Sequence, residues 1–260
     1  MDIVVCIKQV PETTEVKINP ETNTLVREGV PSIINPFDEN ALEAALQLKE
    51  KHGGKVTVIT MGPPQAAEAL KTTIAMGADE VVLVSDRAFA GSDTWATSYT
   101  LSQAIKKLGN VDVIVCGKQA IDGDTAQVGP GIAEWLDLPQ VTFAVKIEVD
   151  GQHARIERML EDVNEVVTSP LPLVITVVKQ INEPRLPSLK GMMRAKKAEV
   201  KIMKAADLDA DPKNLGLNGS PTQVVKIFTP PPKGGGEILQ GEPNEVADKL
   251  LSKLRERKLI

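Results

Sequence analysis

A largely apolar run, IVVCIK from Ile3, opens the chain, and three similar runs follow: KVTVITM from Lys55, EVVLVS from Glu80 and DVIVCG from Asp112. Unbroken apolar runs of this length, rich in β-branched residues, suit strands buried on both faces, as parallel strands are. Between them lie segments of helical period. DENALEAALQLKEKHGG runs from Asp38 to a terminating Gly pair, PPQAAEALKTTIAMG follows Met61, and SDTWATSYTLSQAIKKLG runs from Ser92 to Gly109. The alternation predicts a doubly wound α/β fold with a mostly parallel sheet and helices on both faces.

From Val141 to Val178 the pattern changes to alternating polar and apolar positions, with Asp150-Gly151 as a hairpin signal, which predicts a β-rich extension of the same sheet. INEPRLPSLKGMMRAKK, after Gln180, is a Pro-punctuated loop feeding a basic amphipathic segment, the kind of loop where partners bind. Residues 212–243 are rich in Pro, Gly, Asn and Ser, including Pro230 to Pro232 and Gly234 to Gly236, and cannot hold a core of their own. A final helix candidate, NEVADKLLSKLRERKLI, carries a narrow apolar stripe at Val246, Leu250, Leu254 and Leu259. This division predicts an α/β domain over residues 1–205 and an extended C-terminal arm over 206–260. The arm reads either as a tail wrapped around a partner or as a flexible tail ending in a surface helix.

Composition narrows the function classes. With 42% hydrophobic and 25% charged residues the chain is an ordinary globular protein, and 3% aromatics make its core aliphatic. So few rings, with a net charge of -5, argue against nucleic acid and against a general membrane-surface role. No apolar stretch reaches the length of a bilayer span, and Met1-Asp2 leads straight into a strand without a leader, so a cytoplasmic location is expected. Cys6 and Cys116 lie inside apolar runs and read as buried thiols. His52 and His153 have no partners at metal-ligand spacing, and no GxSxG elbow is present. A chain without catalytic apparatus of its own points to a bound cofactor that does the chemistry.

In an open parallel sheet, ligands sit beyond the carboxyl ends of the strands. The residues there are KQVPETTEV, MGPPQ, SDRAFAGSDT and, after the fourth strand, GKQAIDGDTAQVGPG. In the last, Gly117, Gly123, Gly129 and Gly131 allow close backbone approach or positive φ, and Asp124 or Thr125 can cap a helix beginning near Ala126. Such a helix start suits a phosphate, provided that Asp122 and Asp124 point away from it. A tight structural loop explains the glycines equally well. Neither GxGxxG after the first strand nor GxxxxGK[ST] is present. Asn35-Pro36-Phe37-Asp38 is a helix start, with Asn35 as cap or ligand. Glu12, Asp38, Asp93, Asp122 and Asp124 can all face one crevice, yet form no acid and base pair.

VVCIKQVP, NPFDENALEAAL, MGADEVVLVSD, GKQAIDGDTAQVGPG and INEPRLPSLKGMMRAKK, in that order, resemble the electron-transfer flavoprotein beta (small) subunit over most of the chain. The family's hallmark resembles IERMLEDVNEVVTSPLPLVIT, with Arg158, Glu161, Asp162, Glu165 and Pro172 in place and Val163 where a Gly or acidic residue is usual. The resemblance implies an adenine-nucleotide-binding α/β fold and an alpha subunit that carries the shuttling FAD. The second nucleotide is AMP in ordinary members and a second FAD in those that bifurcate electrons from NADH. DGDTAQVGP and GSDTWATSYTLS resemble the bifurcating group, in which Asp93, Thr94 and Thr97 would contact the flavin portion. By position the site would comprise Cys6 (through its backbone), Asn35, Phe37, Asp38, Met61, Gly117, Lys118, Gln119, Ala120, Ile121, Asp122, Gly123, Asp124, Thr125, Ala126, Gln127 and Val128. Leu189 would anchor docking on a flavin dehydrogenase of the acyl-CoA or lactate type, flanked by Arg194, Lys196 and Lys197. Ferredoxin or flavodoxin would be the low-potential acceptor. An AMP-containing carrier serving acyl-CoA dehydrogenases, and a stand-alone nucleotide-binding regulator, remain the alternative readings.

Overall fold

The computed structural model describes residues 1–12, 18–19, 24–25, 32–225, 234 and 236–260. Thr13 to Val16 of the segment after the first strand, Pro230 to Pro232 and Gly235 lie outside the described residues. In chain order the strands are β1 (Asp2–Cys6), β2 (Gln9–Pro11), β3 (Ile18–Asn19), β4 (Thr24–Leu25), β5 (Ser32–Ile34), β6 (Lys55–Met61), β7 (Glu80–Val84), β8 (Val113–Gly117), β9 (Gln140–Asp150), β10 (His153–Met159), β11 (Asn164–Pro170), β12 (Leu173–Val177) and β13 (Lys201–Met203). The helices are α1 (Pro36–His52), α2 (Ala67–Met76), α3 (Thr94–Leu108), α4 (Val128–Leu136), α5 (Leu189–Lys197) and α6 (Pro243–Glu256).

A nine-stranded sheet of order β11-β10-β9-β12-β8-β1-β6-β7-β13 forms the centre. It is parallel from β9 through β13, and the β9-β10-β11 end is antiparallel. The β-rich region therefore continues the sheet, with β9 and β10 joined through a turn at Gly151, where φ is 56°. Strand pleating sorts β1 between two aliphatic layers. Ile3 and Val5 pack with Ala41, Leu42 and Leu70 of α1 and α2, whereas Val4 and Cys6 pack with Tyr99, Ile105 and Ile132 of α3 and α4. The sheet is thus doubly wound, and chain order reverses where β1 lies beside β8. Crevices at such reversals, beyond the strands' carboxyl ends, are where doubly wound sheets bind ligands.

Two compact units are present, Met1–Val225 and Lys226–Ile260. The first extends past residue 205 because Leu208 and Leu215 are buried with the α3 and α4 layer, and Asp211 N donates to the Tyr99 hydroxyl at 2.7 Å. In the second unit α6 ends at Glu256, so Leu259 lies beyond the helix and the apolar stripe is one position shorter than the periodicity predicts. No helix among the described residues is long and apolar enough to cross a membrane.

Candidate functional site

Gly117 closes β8 directly against the start of α1. A Cβ there would collide with the Asp38 carboxylate and the Phe37 backbone, so glycine is what lets the two elements touch. From Gly117 the chain passes through an exposed loop to α4, whose first turn rests on the strand ends. A Cβ at Gly129 would meet the Thr176 methyl and lie 3.6 Å from the Cys116 Cβ. Gly117, Gly129 and Gly131 act through close approach, whereas a Cβ at Gly123 would meet nothing nearer than Lys8 Nζ at 3.9 Å. Left-handed backbone falls instead on Asp124 and Ala126, each with φ of 55°, a conformation that costs a non-glycine residue about 1–2 kcal/mol.

Those two turns delay the helix, which begins at Val128 rather than near Ala126. Gln127 occupies the cap position without a side-chain hydrogen bond, and neither Asp124 nor Thr125 caps it. Pro130 has no N–H and Gly131 N already donates to Gln127 O at 2.9 Å, so Val128 and Gly129 present the first-turn N–H groups without intrahelical partners. This is the anion-ready helix start that the sequence pattern left level with a structural loop.

Both acidic residues of the loop are engaged elsewhere. Asp122 Oδ1 lies 2.5 Å from Lys8 Nζ, and Asp124 accepts from the Gln119 amide. Asn35 is buried and acts as a staple across the crevice: its Nδ2 donates to Gln119 O at 2.8 Å and its Oδ1 accepts from Ile121 N at 3.1 Å. It makes no side-chain cap to α1. Asp38 Oδ2 accepts from Lys8 N at 2.7 Å. Burial raises the Asp38 pKa to about 7, against the opposing hydrogen bonds from Asn35, Lys8 and Gly117. Lys118 stands 5.3 Å from the centroid of the Phe143 ring and Lys179 stands 5.6 Å from that of Phe37, adding cations to the rim.

The structure therefore brings together Asn35, Phe37, Asp38 and the Gly117–Asp124 stretch, with Cys6 in register beside Cys116 beneath them. Met61 ends β6 on the far side of β1 from β8, half-buried and without a bond to the loop. Asp93, Thr94 and Thr97 mark the start of α3, which meets the α4 start through Thr94 Oγ1 and Gln127 Oε1 at 3.3 Å. Asp93 is committed locally: Oδ1 caps α3 through Trp95 N and Ala96 N, and Oδ2 accepts from Thr222 N and Oγ1. An open cleft of about 280 Å³ separates the two helix starts, lined by Thr94, Trp95, Ser98, Gln127 and Gly131. Glu12 is exposed on the β2 side. Lys8 is the residue that pattern reading passed over. Its position, two residues past a strand bordering the chain-order reversal, was the available signal.

The loop and α5 after Gln180 form a separate surface. Leu189, Lys196 and Lys197 are exposed on α5, whereas the Arg194 guanidinium turns back to Ile74 O at 3.0 Å and to Ala78 O. Among the described residues no cluster of His, Cys, Asp and Glu is arranged to hold a metal.

Fold and site together define a doubly wound α/β protein whose uncapped helix start lies at the reversal of its sheet. Residues 22–208 match the family described as Electron transfer flavoprotein domain. The chain is 55% identical to the electron transfer flavoprotein subunit beta of Thermoanaerobacterium thermosaccharolyticum, over 100% of both chains. It is 53% identical to the caffeyl-CoA reductase-Etf complex subunit CarD of Acetobacterium woodii, again over 100% of both. It is 46% identical to the acryloyl-CoA reductase electron transfer subunit gamma of Anaerotignum propionicum, also over 100% of both. The chain belongs to the electron transfer flavoprotein family, in its beta-subunit branch, and its role is electron transfer.

Proposed function

We propose that this chain is the small subunit of a heterodimeric electron-transfer flavoprotein and that its switch-point loop holds FAD. The observation that carries the reading is the uncapped start of α4, set behind a loop whose own carboxylates are bonded to Lys8 and Gln119. The residues fit the group. The α4 start and the lysine rim receive a pyrophosphate, Gly117 lets the start of α1 close against the loop's base, and the cleft between α3 and α4 gives room beyond the phosphates. Bound there, FAD supplies a carrier able to take a hydride equivalent from NADH and release electrons singly, to ferredoxin or flavodoxin and, through the alpha subunit, to a dehydrogenase. The chain's own part is to hold, orient and desolvate. Asn35 fixes the loop at Gln119 and Ile121, and Asp38 ties the end of β1 to the start of α1.

Support for the bifurcating form comes from relatives named as subunits of reductase complexes, caffeyl-CoA and acryloyl-CoA reductase. The second reading, an AMP-containing carrier for acyl-CoA dehydrogenases, uses the same phosphate site and leaves the α3 and α4 cleft without a ligand. Anaerobic addition of NADH to the purified heterodimer separates them. Bleaching of the flavin absorbance is expected, and an unchanged spectrum at saturating NADH would rule out the bifurcating form.

A further inference from the structure

The segment 182–194 presents four apolar side chains to solvent, Leu186 at 88%, Leu189 at 74%, Met192 at 43% and Met193 at 60% exposure. A chain bearing such residues would ordinarily fold them inward or fluctuate, yet here its backbone is fixed at three places. Asn182 exchanges hydrogen bonds with Asn40 on α1, Nδ2 to Asn40 O at 3.0 Å and Asn40 Nδ2 to Asn182 O at 2.9 Å. Ser188 N donates to Ala75 O at 3.2 Å, Gly191 abuts the same carbonyl, and Arg194 reaches Ile74 O. Between these two anchors lies Arg185. Its Nε and Nη2 fork onto the Glu43 carboxylate at 2.7 and 3.0 Å, while Nη1 and Nη2 reach Glu50 at 2.5 and 3.2 Å. Its own N–H also donates to Glu43 at 3.2 Å. Burial opposes the Glu43 charge, but the Arg185 hydrogen bonds hold that carboxyl below the usual carboxylate range. One guanidinium thus spans two carboxylates on one stripe of α1, a geometry that lysine cannot reproduce.

We propose that Arg185 is the positioning residue of the docking surface, its fork onto Glu43 and Glu50 holding Leu186 and Leu189 as preformed projections for an apolar pocket rimmed by acidic groups on a dehydrogenase. Acidic rim chemistry follows from the exposed Lys190, Lys196 and Lys197 on the same helix. A preformed loop binds more tightly because the competent conformation is populated before encounter. The inference rests on the reading of this chain as a subunit that docks on a dehydrogenase, and its test keeps the two apart.

The heterodimer is assayed as electron acceptor for an acyl-CoA dehydrogenase supplied with its acyl-CoA, with heterodimer concentration varied. Arg185→Gln is expected to raise the half-saturating concentration about tenfold, as when the competent loop population falls to about a tenth. Maximal rate should stay within about twofold and flavin content should be unchanged. Arg185→Lys is expected not to restore docking, Glu50→Gln at the exposed end of the fork to give a smaller rise, and Arg185→Gln added to Leu189→Ala to give little beyond Leu189→Ala alone. If Leu189→Ala weakens docking while Arg185→Gln and Glu50→Gln saturate like the parent, the segment docks without this clasp and the proposal is overturned. If none of the variants weakens docking, the docking reading itself fails and takes the proposal with it. Loss of flavin in Arg185→Gln would make the clasp a general brace, which also overturns it.

Discussion

Asp38 carries a charge that its surroundings disfavour. Its folded pKa of about 7 lies above the ordinary 3.8 because burial outweighs the hydrogen bonds it accepts. Between about pH 4 and 7 the folded chain keeps a proton that the unfolded chain has released, so this stabilisation is complete at low pH and lost as pH rises through 7. Asp38→Asn removes the dependence. The variant should therefore gain stability relative to the parent between pH 5 and pH 8, by on the order of 2 kcal/mol. Thermal denaturation of both heterodimers at the two pH values checks this, and a constant difference would contradict it. Gly117 makes a second residue-scale case. Gly117→Ala forces a methyl into Asp38 and Phe37, so it should cost about 1–3 kcal/mol of stability and lower the nucleotide retained through gel filtration.

At the scale of elements, the loop from Gly117 to Gln127 behaves as a strap fastened at Asn35 and Lys8. Asn35→Ala strips partners from Gln119 O and Ile121 N in a half-buried setting, which costs about 1–3 kcal/mol locally. Hydrogen exchange of the amides from Lys118 to Gly123 should accelerate at least tenfold in that variant, with α2 and β7 unaffected. Exchange as slow as in the parent would mean that the strap holds without Asn35. Four of the parallel strands and the helices between them were legible in sequence, whereas the short strands β2 to β5 and β13 were not. Consecutive β-branched runs gave β6, β7 and β8 to within a residue and β1 to within two, since burial on both faces leaves no room for polar positions. The start of α4 was not legible, because left-handed turns at Asp124 and Ala126 depend on the loop being pulled to Lys8 and Asn35, contacts distant in sequence. For the same reason Asn35 reads locally as a helix cap, whereas the fold uses its side chain as a cross-crevice staple.

For the whole molecule, the doubly wound order placed the ends of β1 and β8 side by side, which is why residues as separate as Lys8, Asn35 and Gly117 share one site. Hydrophobic patterning foretold a mostly parallel sheet with helices on both faces, but not the order that sets β1 beside β8. It did not foretell that residues 206–225 pack back on α3, since that Pro- and Asn-containing stretch is held by two isolated buried leucines, Leu208 and Leu215, and by hydrogen bonds from Asp211 to Tyr99 and from Thr222 to Asp93, with no periodic apolar stripe to signal it. The central claim, that the loop ahead of α4 holds a complete FAD, is tested most directly by a cofactor inventory. The purified heterodimer is denatured, and its released nucleotides are separated and counted per pair. Two FAD are predicted, falling to one in Gly117→Ala, and one FAD with one AMP in the parent would contradict the account.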